Sequence, residues 1–131
     1  MPEPRRVVHI GVWVRDLERM REFYVTVLHG EAGRLYENAR TGFRSYFISL
    51  GEGARVELMA RPDVNTGAPD GDRLGYAHLA LHVGSSSALD EWVARLKASG
   101  VVVVGNPRTT GDGYYEAVIE DPEGNRIELV G

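Results

Sequence analysis

The chain repeats itself, and a repeat restricts the possible folds more than any local pattern does. One half opens with His9-Ile10-Gly11-Val12-Trp13-Val14 and the other with His78-Leu79-Ala80-Leu81-His82-Val83. Both follow the order His, apolar, small, apolar, variable, Val. The first half closes on Val56-Glu57-Leu58-Met59 and the second on Ile127-Glu128-Leu129-Val130, and His and Glu lie 48 residues apart in one copy and 50 in the other. Two matched landmarks in one order at nearly one separation indicate a duplication.

Between the landmarks each copy has the same plan. A strand over 7–14 precedes a helix predicted from Asp16 to Leu28, whose stripe is Leu17, Met20, Tyr24, Val27 and Leu28, with Asp16 as N-cap and Gly30 as stop. His29 reads as a last-turn residue complementing the helix dipole. The second copy offers a helix from Ser87 to Ser99, with Leu89, Trp92, Val93 and Leu96 as stripe, Ser87 and Asp90 at capping-box spacing, and Gly100 as stop. Strands are predicted at 34–37, 43–50 and 55–59, then at 101–104, 114–120 and 126–130, with Gly51-Glu52-Gly53 and Asp121-Pro122-Glu123-Gly124-Asn125 as turns. The expected architecture is α+β: two tandem βαβββ modules, 7–60 and 76–130, joined by loop 61–75 within a single domain 1–131. A unit of about 60 residues buries too little apolar surface alone, so the curved mixed sheets are expected to enclose a cavity between them.

Composition narrows the chemistry. With no Cys among 131 residues there is no thiolate site, disulfide or cysteine nucleophile, so a bound metal has to use His and carboxylates. A net charge of -4 gives no basic footprint for nucleic acid or an anionic membrane surface. The start MPEPRRVVHI lacks an apolar core behind its arginines and no run approaches a membrane span, which predicts a cytoplasmic protein. Taken singly, His9 reads as a core histidine and Glu57 as a rim residue. Jointly, His9, Glu57, His78 and Glu128 form a matched two-His, two-Glu set in a chain with only four His, suited to one divalent ion of the Ni, Co, Zn, Fe or Mn type with open positions for water or substrate. Strand alternation places Gly11 and Trp13 on the face of His9, and Ala80 and His82 on that of His78. Ile10, Val12, Val14, Leu79, Leu81 and Val83 are expected beneath the helices.

These residues, with the phrase Glu120-Asp121-Pro122-Glu123-Gly124-Asn125-Arg126-Ile127-Glu128-Leu129, resemble the vicinal oxygen chelate superfamily over 7–130. That superfamily includes glyoxalase I, methylmalonyl-CoA epimerase, extradiol dioxygenases and fosfomycin and bleomycin resistance proteins, and the ligand set is most similar to the short bacterial, nickel- or cobalt-preferring glyoxalase I. The resemblance implies proton transfer next to a carbonyl through an enediolate held by one divalent metal, as in a lactoylglutathione lyase. Glu128 is implied as the base and Glu57 as its symmetric alternative. The implied substrate is a small molecule, the thiol adduct of an α-ketoaldehyde or an acyl thioester, and the implied assembly a homodimer. Trp13 and Arg61 stand where the resemblance implies Arg and Asn in glutathione-binding members. That keeps another thiol, a CoA thioester or another α-hydroxycarbonyl compound as alternatives. A methylmalonyl-CoA epimerase-like enzyme and a binding protein for an antibiotic or metabolite are the rival readings. Trp13, His82, Tyr46 and Tyr115 are the expected pocket residues. Either a cavity within one chain or one shared between exchanged modules is compatible with the spacing.

Overall fold

The computed structural model describes residues 3, 5–67 and 72–131, and the chain divides into two compact units, Met1–Gly67 and Ala68–Gly131. In the first unit β1 (His9–Trp13) leads through α1 (Leu17–Glu22) to β2 (Glu31–Ala32), β3 (Tyr36–Asn38), β4 (Phe43–Ser49) and β5 (Arg55–Ala60). The sheet runs β1-β5-β4-β2 with β3 also on β4; β1 is parallel to β5 and the other pairs are antiparallel. The second unit repeats this as β6 (His78–His82), α2 (Ser86–Ala98), β7 (Val103–Thr109), β8 (Tyr115–Glu120) and β9 (Arg126–Val130), ordered β6-β9-β8-β7, with β6 parallel to β9. The class is α+β, two mixed sheets each with one helical segment. Among the described residues no helix is long and apolar enough to cross a membrane.

Each sheet buries one face under its helix. In the first unit Tyr46, Ile48, Val56, Leu58 and Ala60 meet Leu17, Met20, Phe23, Tyr24 and Leu28; in the second Ala117, Ile119, Ile127 and Leu129 meet Leu89, Val93 and Leu96. Alternation along the strands sends every second residue the other way. α1 packs on β5 and β4, and α2 on β7, β8 and β9, so β1 and β6, each at one edge of its sheet, are only partly covered. Val14 is buried, but Ile10 is exposed and Val12, Leu79, Leu81 and Val83 are half-buried, which corrects their expected placement beneath the helices.

The first helix departs from the predicted single α-helix. Asp16 caps it, accepting from the Arg19 N–H at 3.1 Å, but from Phe23 to Val27 it widens into π-helical turns, with the Leu28 N–H donating to the Phe23 carbonyl. The wide turn puts the neighbours Phe23 and Tyr24 both into the core and leaves Val27 half-buried. At its end the left-handed residue is His29, φ 60°, not Gly30. Gly30 donates from its N–H to the Tyr24 carbonyl at 2.9 Å, and a Cβ on it would lie 2.8 Å from Ile48 Cγ2. It is required for close packing, not for backbone freedom.

The second helix ends as expected, with Gly100 at φ 86° and the Val101 N–H donating to the Leu96 carbonyl. Its N-cap, however, is Ser85, whose hydroxyl accepts from the Ala88 N–H; Ser87 lies within the first turn. The predicted strand at 34–37 is replaced by the short β2 and β3 on the same edge of β4. The run expected at 101–104 begins as a strand only at Val103 and continues through Pro107, its register on β8 shifting between Val103 and Gly105 and again between Gly105 and Arg108. Such irregularities are where an edge strand accommodates a proline.

Candidate functional site

The parallel pairing of first and last strands builds one motif twice. Gly11 lies opposite Glu57 and Ala80 opposite Glu128. Each His is two residues before that small residue on the same face, so it reaches diagonally to the Glu. His9 Nε2 stands 3.5 Å from Glu57 Oε1, and His78 Nε2 stands 3.2 Å from Glu128 Oε1. The carboxylates are the deeper partners, 15% and 20% exposed against 40% and 42% for the imidazoles. Phe47, opposite Glu57 on β4, meets the His9 ring edge-on at 5.1 Å and carries the Arg55 guanidinium over its own face at 4.3 Å.

The donor spacing fits a metal ion. Ligand bonds of about 2.1 Å place two donors roughly 3.0 Å apart in an octahedral arrangement and 3.4 Å apart in a tetrahedral one. Imidazole nitrogen and carboxylate oxygen are also the donors a borderline divalent ion takes when thiolates are absent. Each unit thus supplies two donors at a chelating distance. Among the described residues no group of three or more His, Asp or Glu side chains gathers at one metal position.

One acidic neighbour went unnoticed in the sequence. Glu116 has its carboxyl pushed up, first by burial and then by the charge of Glu128 and a hydrogen bond with it, with Asp112 adding and Arg108 opposing. Its signal was legible in principle: Glu116 lies on β8, opposite Val130, so alternation puts it on the Glu128 face.

The expected pocket residues divide. Trp13 is on the His9 face and 42% exposed; its indole meets Phe43 edge-on at 6.1 Å and lies under the Arg61 guanidinium at 4.9 Å, which also pairs with Asp63. His82 is exposed on the His78 face and its Nδ1 accepts from the Gly84 N–H at 3.2 Å. Tyr46 and Tyr115 are corrected. Tyr46 lies opposite Leu58, one residue out of phase with Glu57, and its hydroxyl donates to Glu18 Oε1 at 2.7 Å on the helix side. Tyr115 lies opposite Thr109, next to Glu116, and donates to Asp90 Oδ1 of α2 at 2.6 Å. Both phenols are pushed above their usual pKa, chiefly by these hydrogen bonds to carboxylates. They latch helix to sheet on the face opposite the His–Glu pairs.

Comparison with known proteins identifies the family. The family profile described as the Glyoxalase/Bleomycin resistance protein/Dioxygenase superfamily matches residues 6–129. A probable lactoylglutathione lyase of Vibrio cholerae is 30% identical over 95% of this chain and 89% of its own length. A 2-epi-5-epi-valiolone epimerase of an Actinomyces species is 32% identical over 99% of this chain and 81% of its own. The trypanothione-dependent glyoxalase I of Leishmania major superposes with a TM-score of 0.78 at 25% identity, covering 98% of this chain and 87% of that one. With two β-rich repeats, a His–Glu pair in each and a family match over nearly its whole length, the chain belongs to the glyoxalase/bleomycin resistance protein/dioxygenase superfamily.

Proposed function

We propose that this protein is a metal-dependent lyase or isomerase of the lactoylglutathione lyase type, moving a proton between the two carbons of a small α-hydroxycarbonyl substrate. The observation that carries this reading is the repeated pair of imidazole and carboxylate, His9 with Glu57 and His78 with Glu128, at 3.5 and 3.2 Å. In this reading His9, Glu57, His78 and Glu128 together hold one divalent ion, nickel or cobalt by preference and zinc, iron or manganese as substitutes, in a cytoplasmic homodimer. When bound, such an ion supplies Lewis-acid chemistry that makes the hydrogen next to a carbonyl acidic.

The protein's own groups perform the transfer. A Glu128 oxygen takes the proton from the carbon bearing the hydroxyl and returns it to the neighbouring carbonyl carbon, while the hydroxyl proton passes to the former carbonyl oxygen, so a hemithioacetal becomes an α-hydroxy thioester with no net change in atoms. Glu57 occupies the matching place in the first unit and is the alternative base. The imidazoles fix the carboxylates from the outside, and Phe47 against His9 limits the freedom of one ring.

Loading the purified protein separately with nickel, cobalt, zinc and manganese, then assaying hemithioacetals of methylglyoxal with several thiols, tests the proposal. A stoichiometric ion with turnover supports it; no affinity for any divalent ion refutes it and leaves the binding-protein reading. The epimerase relative favours a second reading, inversion at a carbon next to a carbonyl. Exchange of the α-hydrogen in D2O without thioester formation is its signature.

A further inference from the structure

The two sheets share one plan but not one lining. On the pair-bearing face of the first unit, alternation places Gly11 and Trp13 of β1, Met59 of β5, and Phe43 and Phe47 of β4. The same face of the second unit carries Ala80 and His82 of β6, Val130 of β9, and Glu116 and Val118 of β8. One face is aromatic, the other mixed and acidic. We propose that Trp13, Met59 and Phe43 form a subsite for an aryl substituent of the substrate; this rests on the proposed site at His9 and Glu57 and specifies its substrate class.

Three observations support the subsite. Trp13 is fixed yet open: Phe43 buttresses its edge and Arg61, tied to Asp63, covers it with a guanidinium, while 42% of the residue stays exposed. A large aromatic held in one orientation without being buried presents a stacking surface. The floor between His9 and Trp13 is apolar, because Gly11 has no side chain and the Met59 methyl lies so close that a Cβ there would meet it at 2.9 Å. Finally the length suits a single ring. Gly11 is the register partner of Glu57, and Trp13 lies two residues further along β1, roughly 6.6 Å at 3.3 Å per residue. A phenyl group attached beside the reacting carbon would span that distance. Arg61 is engaged by the indole and Asp63, which makes it a poor receptor for the carboxylates of a peptide thiol.

Mandelate and lactate test this, since both offer neighbouring hydroxyl and carboxylate oxygens and differ only in phenyl for methyl. In a Trp92→Phe background Trp13 is the sole tryptophan and its fluorescence reports directly. Mandelate should quench it and bind at least tenfold more tightly than lactate, measured with and without nickel. By calorimetry Trp13→Ala should reduce the ratio below threefold, and Trp13→Leu, which keeps an apolar side chain, should do the same; Trp13→Phe should retain most of it. Tyr115→Phe, which removes only the hydrogen bond to Asp90 on the opposite face of the second unit, should keep the full ratio. A native ratio below threefold, or one unchanged in both Trp13→Ala and Trp13→Leu, overturns the subsite. Turnover of hemithioacetals without the ratio defeats the subsite alone, whereas the ratio without turnover defeats the proposed reaction and leaves the subsite standing.

Discussion

Adjacent residues at the end of the first helix should respond oppositely to substitution, and the structure gives the size of the effect. Gly30 is buried, and an added Cβ would lie 2.8 Å from Ile48 Cγ2, 2.9 Å from the Tyr24 carbonyl oxygen and 3.0 Å from Leu50 Cδ2. Carbon atoms settle at about 3.5–4.0 Å, so two of these contacts are short by at least half an ångström. Neither principal neighbour can move cheaply: Ile48 is fully buried in β4, and the Tyr24 carbonyl is held by the N–H of Gly30 itself. Gly30→Ala should therefore cost about 2–3 kcal/mol, the upper part of the overpacking range. That corresponds to a fall in Tm of roughly 6–9 °C for a chain of this size. His29, at φ 60°, has the backbone that glycine adopts freely, so His29→Gly should stay within about 0.5 kcal/mol of the native protein, relief of strain offsetting added chain entropy. His29→Val, β-branched at positive φ, should lose about 1–2 kcal/mol. Urea unfolding reads all three. A Gly30→Ala variant as stable as the native chain would refute the close-packing requirement at Gly30, and a large loss in His29→Gly would refute relief of backbone strain at His29. The strain also bears on the site, because Ile48 adjoins Phe47, which packs on His9.

Tyr46→Phe removes the hydrogen bond to Glu18 and should cost about 1 kcal/mol. Because the folded chain holds the phenolic proton to higher pH than the unfolded chain, this contribution is complete below about pH 10 and is lost as pH rises through the folded value; the variant's alkaline stability limb should be flatter. The buried Asp121 accepts from the N–H groups of Glu123 and Asn125 and from the Asn125 side chain at 2.9–3.0 Å, so Asp121→Ala should destabilise by about 2–3 kcal/mol in chemical denaturation. Glu128→Gln should lower kcat at least 100-fold, the order expected for loss of a general base, with an unaltered circular dichroism spectrum; a variant retaining a tenth of native kcat would remove Glu128 from that role. Stripping metal with a chelator should lower Tm by roughly 8 °C relative to protein at 100 times Kd, a linkage of about 2.7 kcal/mol, and an unchanged Tm would contradict a native-state ion.

The sequence made the duplication, the succession of elements along the chain and the His–Glu landmarks legible because each rests on a pattern with its own period. Pairing register is different in kind. Tyr46 as a pocket wall needed Phe47, its neighbour, to be recognised as the residue opposite Glu57, and no single strand carries that information. The π-helical turn at Phe23–Val27 was hidden because Tyr24, Val27 and Leu28 also satisfy ordinary helical spacing. What distinguishes the two forms is that Phe23 and Tyr24 are both buried, a tertiary fact. The strand through Pro107 was missed because proline argues against a strand, and only the register shifts on β8 resolve the conflict. At the site, Glu116 could have been flagged by alternation, but its consequence depends on the nearness of Glu128.

The difference in length between the repeats shows how the fold insulates the pair. Seven residues separate His from N-cap in both copies, from His9 to Asp16 and from His78 to Ser85. Twenty-eight separate the left-handed helix-ending residue from Glu in both, from His29 to Glu57 and from Gly100 to Glu128. The whole difference between 48 and 50 therefore falls inside the helix, where the first copy runs into wide turns and the second stays α-helical. A helix lying over a sheet can change length at its end without moving the strands beneath. The His–small–Glu register has no such freedom, since a shift of one residue would send the Glu to the opposite face. The small residue at the third position of each opening strand sits opposite the Glu, Gly11 opposite Glu57 and Ala80 opposite Glu128, and at Gly11 a Cβ would meet the Met59 side chain at 2.9 Å. The repeated phrase of His, apolar and small residue is thus the linear trace of a diagonal contact across a parallel strand pair. Residues outside that contact were free to diverge, and the aromatic lining around Trp13 and the acidic one around Glu116 are where the two copies differ in chemistry.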